Sequence, residues 1–233
     1  MWPIPTLDND IVTFSFYDDA LVCSWIEKKH GHINAHVKAY QRHSLEHLEL
    51  EKLILFNPTH IKNIMIQFLC EYKKHNAFIA CSFHGTSIVE YCIALAISTP
   101  KREDFSIPHS STMLWNYQYL YQNEDGQFVF YVYKMPQFLL LQYKLLAIAV
   151  GCNVITMTTQ SLALLHCYKN IFGTVFRQSQ LAVDMMRHNN HFEHIISTDM
   201  LQRTISMPTS LSLKKELPYL ATSYGLFINQ GLL

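Results

Sequence analysis

The sequence predicts an α/β fold, and three features carry that expectation. Three short β-branched and aromatic runs separated by turn residues open the chain, an amphipathic helix and a continuous apolar strand follow them, and an Asp-Gly hairpin leads later into a helix, a strand and a helix. Short β-prone runs with turn chemistry between them make a meander, and strands that alternate with helical patterns make a sheet with helices packed on it. The composition agrees: 49% of the 233 residues are hydrophobic, 15% are charged, and there are seven glycines. That is under half the usual roughly 7% glycine, which excludes collagen-like repeats and disorder as descriptions of the whole chain.

The elements follow in order. Ile11–Phe16 (IVTFSF), Leu21–Ile26 (LVCSWI) and Ile33–Tyr40 (INAHVKAY) are the three strands, parted by Asp18-Asp19 and by His30-Gly31-His32. Asn57 before Pro58 is a helix start, because the Asn side chain caps free amides and proline has none to leave unpaired. Ile61, Ile64, Met65, Phe68, Leu69 and Tyr72 then recur at helical spacing on one stripe. Ala77–Ser82 (AFIACS) is apolar throughout, as suits a strand covered on both faces. Gly85 permits a turn into Ile88–Ala96, and Ser98-Thr99-Pro100 gives a weak helix start. Met113–Tyr121 and Gln127–Tyr133 are joined across Asp125-Gly126, a strong hairpin signal. Pro136 opens a helix that Gly151 ends, Val154–Met157 is a strand, and Thr159 caps a helix to about Tyr168. Gln180–Met186, Phe192–Ile196 and Leu201–Ile205 read as strands, Pro208–Ser212 as a break, and Tyr219–Asn229 as a short closing helix.

Charge and cysteine usage bound the function. Eighteen basic against eighteen acidic side chains leave no net field, so long-range attraction of nucleic acid or of an anionic membrane is not expected. The six cysteines stand singly, mostly inside apolar runs, as small buried hydrophobes in a reducing, cytoplasmic setting do. MWPIPTLDND lacks the cationic start and apolar stretch of a signal peptide. The longest apolar stretch, Phe138–Val150, contains Gln142 and Lys144 and, at about 13 residues, falls short of the ~20 that span a bilayer.

Few constellations suggest chemistry. His188, His191 and His194 with Glu193 between them match no zinc-ligand spacing and read first as a solvated turn, with a metal hydrolase as the sharper reading. His30, His32 and His36 fall on a turn and its outgoing strand, where an exposed polar face is the expectation. No Gly-x-Ser-x-Gly, Walker or dinucleotide glycine pattern is present. Phe83-His84-Gly85-Thr86-Ser87 is the nearest polar loop after a buried strand.

Three stretches nonetheless carry a family resemblance: SFHGTSIVEYCIAL with STPKREDF after it; WNYQYLY followed by DGQFVFYVYKMPQFLLLQYKLLAIAVGCNVITMTTQSLALL; and LAVDMM with LATSYGLFINQ near the end. In order and kind they resemble the actin-like (ribonuclease H-like) ATPase fold, and within it the PilM-type proteins of type IV pilus assembly and their short relatives in secretion and DNA uptake. The resemblance implies a two-lobed α/β fold with an inserted α+β subdomain and a truncated second lobe. Residues 1–83 and 159–177 would form the first lobe, 84–158 the inserted subdomain, and 178–233 the truncated lobe.

Carried over position by position, the family's phosphate-gripping residues are degenerate here. Ser15 stands in place of the first carboxylate and Tyr17 puts a ring where phosphate would sit. Asp184 keeps its place, but Met185-Met186-Arg187 follows instead of glycine and hydroxyl residues. Only Met207–Leu217 separates the last strands from the closing helix, where full-length members insert a wall of the adenine cleft. The resemblance therefore implies a scaffold with no catalytic residue, no metal and no cofactor. The alternative is a divergent ATPase that binds ATP and Mg and keeps Asp184 and Arg187 for it. The implied partner is the N-terminal peptide of a PilN-type bitopic inner-membrane protein, held in a groove between the first lobe and the insert, with Trp115, Tyr117, Tyr119 and Tyr121 as candidate aromatic contacts. The chain would then be cytoplasmic and meet the inner membrane only through that partner, with self-association left open.

Overall fold

The computed structural model of the protein describes residues 10–28, 35–45, 50–105, 112–173, 198–207 and 213–228. Strands β1 (Asp10–Tyr17), β2 (Ala20–Lys28) and β3 (Ala35–Ser44) form the expected antiparallel meander. A two-residue ladder, β4 (Leu50–Glu51) with β5 (Ile54–Leu55), precedes α1 (Pro58–Glu71). Asn57 Oδ1 accepts from the His60 amide at 3.2 Å, and the predicted stripe from Ile61 to Leu69 is the buried face of α1. Next, β6 (Phe78–His84) enters parallel to β1.

A second, smaller sheet follows. It consists of β7 (Val89–Leu95), β8 (Met113–Gln122) and β9 (Phe128–Pro136) in the order β7-β9-β8, with a 3₁₀ turn at Arg102–Phe105 between the first two. Gly126, at φ +76°, makes the β8–β9 turn in a conformation that favours glycine. The chain then returns through α2 (Gln137–Val150) to β10 (Asn153–Thr159), which lies parallel to β6, and on to α3 (Gln160–Phe172). Gly151 ends α2 in the left-handed region, and Thr159 Oγ1 caps α3 by accepting from the Leu162 amide at 3.3 Å. The described chain closes with α4 (Thr198–Thr204), β11 (Ile205–Ser206) and α5 (Leu213–Ile228).

The large sheet has the order β10-β6-β1-β2-β3-β11 and is covered on both faces. On one side α1 and α2 bury Val12, Phe14, Phe16, Cys81 and Phe83. On the other, α3 and α5 bury Ile11, Ile26, Val37 and Ala80. Each large side chain so removed from water contributes roughly 1.5–3 kcal/mol. Alternation along β1 leaves small polar residues beneath α3 and α5: Ser82 Oγ donates to Ser15 Oγ at 2.8 Å, and the Ser24 and Ser223 hydroxyls pair at 3.0 Å. Small side chains there let the helices lie close to the sheet.

Four expectations change. The small sheet ends at Pro136, so of the residues 84–158 expected as the insert, β10 belongs to the large sheet and α2 packs on it. The apolar character of β10 is the edge of that sheet, paired with β6. Leu201–Ile205 is helix rather than strand until its last residue: Leu201 and Ile205 are both buried, and their spacing of four is helical. Of residues 178–233, those described sit on the large sheet, β11 beside β3 and α5 against α3, and no second lobe forms among the described residues. The closing helix also starts earlier than Tyr219. It runs through Pro218, its first turns tied down by Tyr40 OH donating to Glu216 and by Arg42 Nη1 at 3.8 Å from the same carboxylate. The strands expected at Gln180–Met186 and Phe192–Ile196 lie outside the described residues.

His166 on α3 provides a pH handle. Burial, aided by the Lys169 ammonium, holds its imidazole down at about 4, against an ordinary 6.5. Between those values the unfolded chain binds a proton that the native one refuses, so unfolding free energy falls as pH drops through that window. The expected loss is on the order of 2–3 kcal/mol. Urea midpoints measured near neutral pH and near pH ~4.5 should show it, and His166→Asn should flatten the difference.

Candidate binding groove

The carboxyl ends of β1, β6 and β10 lie side by side, with Tyr17 opposite His84 and Phe83 opposite Thr159. On the α3 and α5 side, the protein's own side chains cover this end. Tyr17 is buried, its ring edge-on to Tyr219 of α5 at 4.8 Å and tilted against His84 at 5.9 Å. Gln160, the first residue of α3, donates through Nε2 to Tyr17 OH at 3.3 Å and to Thr222 Oγ1 at 3.5 Å. Arg42 stacks 4.5 Å above the Tyr219 ring. Burial pushes the Tyr17 phenol well above its ordinary range, an effect the hydrogen bond with Thr222 partly offsets. Two buried oxygens at this end, Gln160 Oε1 and Asp18 Oδ1, have no hydrogen-bond partner.

Of the residues singled out in the sequence, Ser15 and Tyr17 are therefore both at this end of the sheet, while Asp184 and Arg187 lie outside the described residues, as do His188, His191 and His194. Among the described residues, no three His, Cys, Asp or Glu side chains are placed to hold a metal. Gln160 and Tyr219 went unnoticed in the sequence. The N-cap Thr159 marks the start of α3 and so could have pointed to Gln160, but no local signal marks Tyr219.

A polar cluster joins the small sheet to α3. Tyr131 OH donates to Glu90 Oε1, Ser161 Oγ donates to Glu90 Oε2 at 2.8 Å, and the Tyr131 and Thr159 hydroxyls are 2.5 Å apart. Burial, reinforced by the Glu90 charge, raises the Tyr131 phenol well above its ordinary range, so it stays a donor.

On the opposite side the two sheets meet along an apolar seam. Leu53, Phe83, Ile88, Met135, Leu139, Leu140 and Tyr143 line it, closely enough to leave no room for water. Helix α2 clamps the β4–β5 turn there: Tyr143 OH donates to Leu53 O at 3.0 Å, Gln142 Nε2 donates to the same carbonyl, and the Leu55 amide donates to Gln142 Oε1 at 3.2 Å. These bonds hold Lys52 and Leu53 at φ +49° and +65°, backbone that side-chain-bearing residues adopt at a cost. Beside the seam, β7 is, among the described residues, an open edge of the small sheet and begins with the exposed Val89. The aromatics expected in the groove mostly do other work. Trp115 and Tyr117 enclose Phe105 in a core of the small sheet, and Tyr121 packs toward α3 and α5.

The chain is similar to one in the structure described as "PilM-PilN type IV pilus biogenesis complex", with a TM-score of 0.65 and 11% identity, over 96% of this chain and 98% of that one. It also matches "Cyto-Epsl: The Cytoplasmic Domain Of Epsl, An Inner Membrane Component Of The Type II Secretion System Of Vibrio Cholerae" at a TM-score of 0.42 and 8% identity, over 66% of this chain and 58% of that one. No family model matches the chain, and no curated protein does. Element order and the first likeness together define a mixed α/β protein with a PilM-like fold. At 11% identity it is the fold that is shared. No described helix is long and apolar enough to cross a membrane.

Proposed function

We propose that the protein is a scaffold of a type IV pilus assembly or a related secretion or DNA-uptake apparatus, and that it seats the N-terminal tail of a PilN-type bitopic membrane protein. It would work on the cytoplasmic side of the inner membrane, reached through that partner. The observation that carries this reading is the likeness to a PilM–PilN complex over almost the whole chain. The apolar seam beside the open edge of β7 supports it. An extended peptide can add to a sheet edge and set alternate side chains into neighbouring apolar ground, and Ile88 and Val89 stand where edge and seam meet.

We further propose that the scaffold acts without nucleotide. A phosphate grip needs bare backbone amides. Here Tyr17, Gln160 and Tyr219 occupy the strand ends, Gln160 Nε2 donating to Tyr17 OH and the two tyrosine rings in contact, so the residues present do not suit ATP and Mg. The alternative, a divergent ATPase, draws on the unpaired Gln160 Oε1 and Asp18 Oδ1 at the same end.

Fluorescence anisotropy tests the tail. The labelled peptide is the first dozen or so residues of a single-span membrane protein encoded beside this chain. A Kd between ~1 and ~100 μM is expected. Ile88→Glu should weaken it at least ~10-fold, about 1.4 kcal/mol, while Leu145→Glu on the outer face of α2 should leave it unchanged. No binding at several hundred micromolar, or binding indifferent to Ile88→Glu, rejects the reading.

A further inference from the structure

Four of the large apolar side chains that the protein leaves in water share one helix. Phe138, Leu141, Leu145 and Ile148 of α2 are each more than half exposed. Their spacing of three, four and three is that of a helix–helix seam. The buried residues of α2, Leu139, Tyr143, Leu146 and Ala147, lie on the opposite side, so the seam is not the fringe of the core. Alongside it runs an open groove of about 570 Å³ between α2 and β10, walled by Leu140, Ile148, Val154, Ile155 and Met157 among others. Among the described residues, strand β10 is an edge of the large sheet, and it carries neither charge nor proline, the usual protections of an exposed edge.

We propose that this face is a dimer interface, in which α2 pairs antiparallel with α2 of a second copy about a two-fold axis. The surface is suited to its own copy because a two-fold lays this apolar ridge antiparallel along the same ridge of the second copy, residue against complementary residue. With the axis crossing the exposed face of α2 at the level of residue 143, Leu141 meets Leu145 of the second copy and Phe138 meets its Ile148, so every seam residue finds an apolar partner. The one charge on α2 is Lys144, exposed on the wall of that groove, where its long stem lets the ammonium reach water. Four side chains at roughly 100 Å² of exposed surface each provide about half of the ~800 Å² per partner that a stable interface buries. The apolar part of the groove wall, Leu140, Val154, Ile155 and Met157, adds surface directly beside them.

Sedimentation equilibrium of the full chain from ~1 to ~100 μM tests this. Wild type should dimerise with a micromolar Kd. Leu141→Glu and Leu145→Lys should each weaken the dimer at least ~10-fold, because each sets a charge against an apolar side chain. The double variant should regain it, since each introduced carboxylate then faces an introduced ammonium across the axis. Ile97→Glu, at an exposed apolar residue elsewhere, should change nothing. A wild-type chain monomeric throughout overturns the proposal and gives the face to another protein or a bilayer. A dimer indifferent to Leu141→Glu, or one that the double variant fails to restore, overturns it equally.

Discussion

Replacing Gly225 by alanine is expected to lower the unfolding free energy by about 3 kcal/mol or more, read as a lower urea midpoint at unchanged slope. Within a helix the same change ordinarily stabilises by ~1 kcal/mol, because glycine is the poorer helix former. The sign reverses here because Gly225 is where α5 touches α3. An added methyl group would fall on the Ala163 carbonyl oxygen, with the carbonyl carbon 2.5 Å away. Backbone cannot step aside as the end of a flexible side chain does, so the two helices must separate. Tyr224 OH donating to Asn170 Oδ1 at 2.8 Å and the Ser24–Ser223 pair would then be pulled apart as well. Alanine at Gly151, where nothing lies within 4 Å but φ is +79°, should cost about 1 kcal/mol through backbone strain alone. The contrast separates a packing effect from a conformational one.

Phe83→Ala should cost ~3–5 kcal/mol, the usual range for emptying a buried aromatic site. Phe83, next to last in β6, has its ring stacked on Phe16 at 5.7 Å and tilted on Tyr143 at 4.6 Å. Tyr143 in turn holds the Leu53 carbonyl. Losing the ring therefore loosens the clamp on the β4–β5 turn together with the wall of the seam, so tail binding should weaken in whatever fraction stays folded. Phe83→Leu, which keeps most of the volume, should cost well under half as much. Tyr119→Ala, at a side chain 46% exposed on the small sheet, should stay near 1 kcal/mol or below.

Much of the fold could be read from the chain because its strongest elements are locally determined. AFIACS is apolar up to its closing serine and forms an interior strand, Asn57-Pro58 and Thr159 mark helix starts, and Gly151 marks an end. What could not be read depends on partners distant in sequence. Whether β10 belongs to the insert or to the large sheet is decided by its ladder with β6, about seventy-five residues earlier. The stretch around Leu201 supports either period over five residues, and burial of Leu201 and Ile205 against the large sheet selects the helical one. At the candidate site the sequence exposed the bulk of Tyr17 but not what meets it. Tyr219 arrives two hundred residues later, and the contact between them has no local signature. The seam likewise brings Leu53, Phe83, Met135 and Leu140 together from four separate elements and turns, which no window along the chain could assemble.

The most direct measurement is the thermal midpoint of the purified full chain with the membrane-protein tail peptide and, separately, with Mg-ATP at millimolar concentration. Ligand that binds only the folded state at one hundred times its Kd adds about 2.7 kcal/mol, a rise of roughly 5–10 °C for a chain of this size. The midpoint should rise with the peptide and stay where it is with Mg-ATP. A midpoint that climbs with Mg-ATP and ignores the peptide would contradict both the proposed partner and the covering of the strand ends by Tyr17, Gln160 and Tyr219.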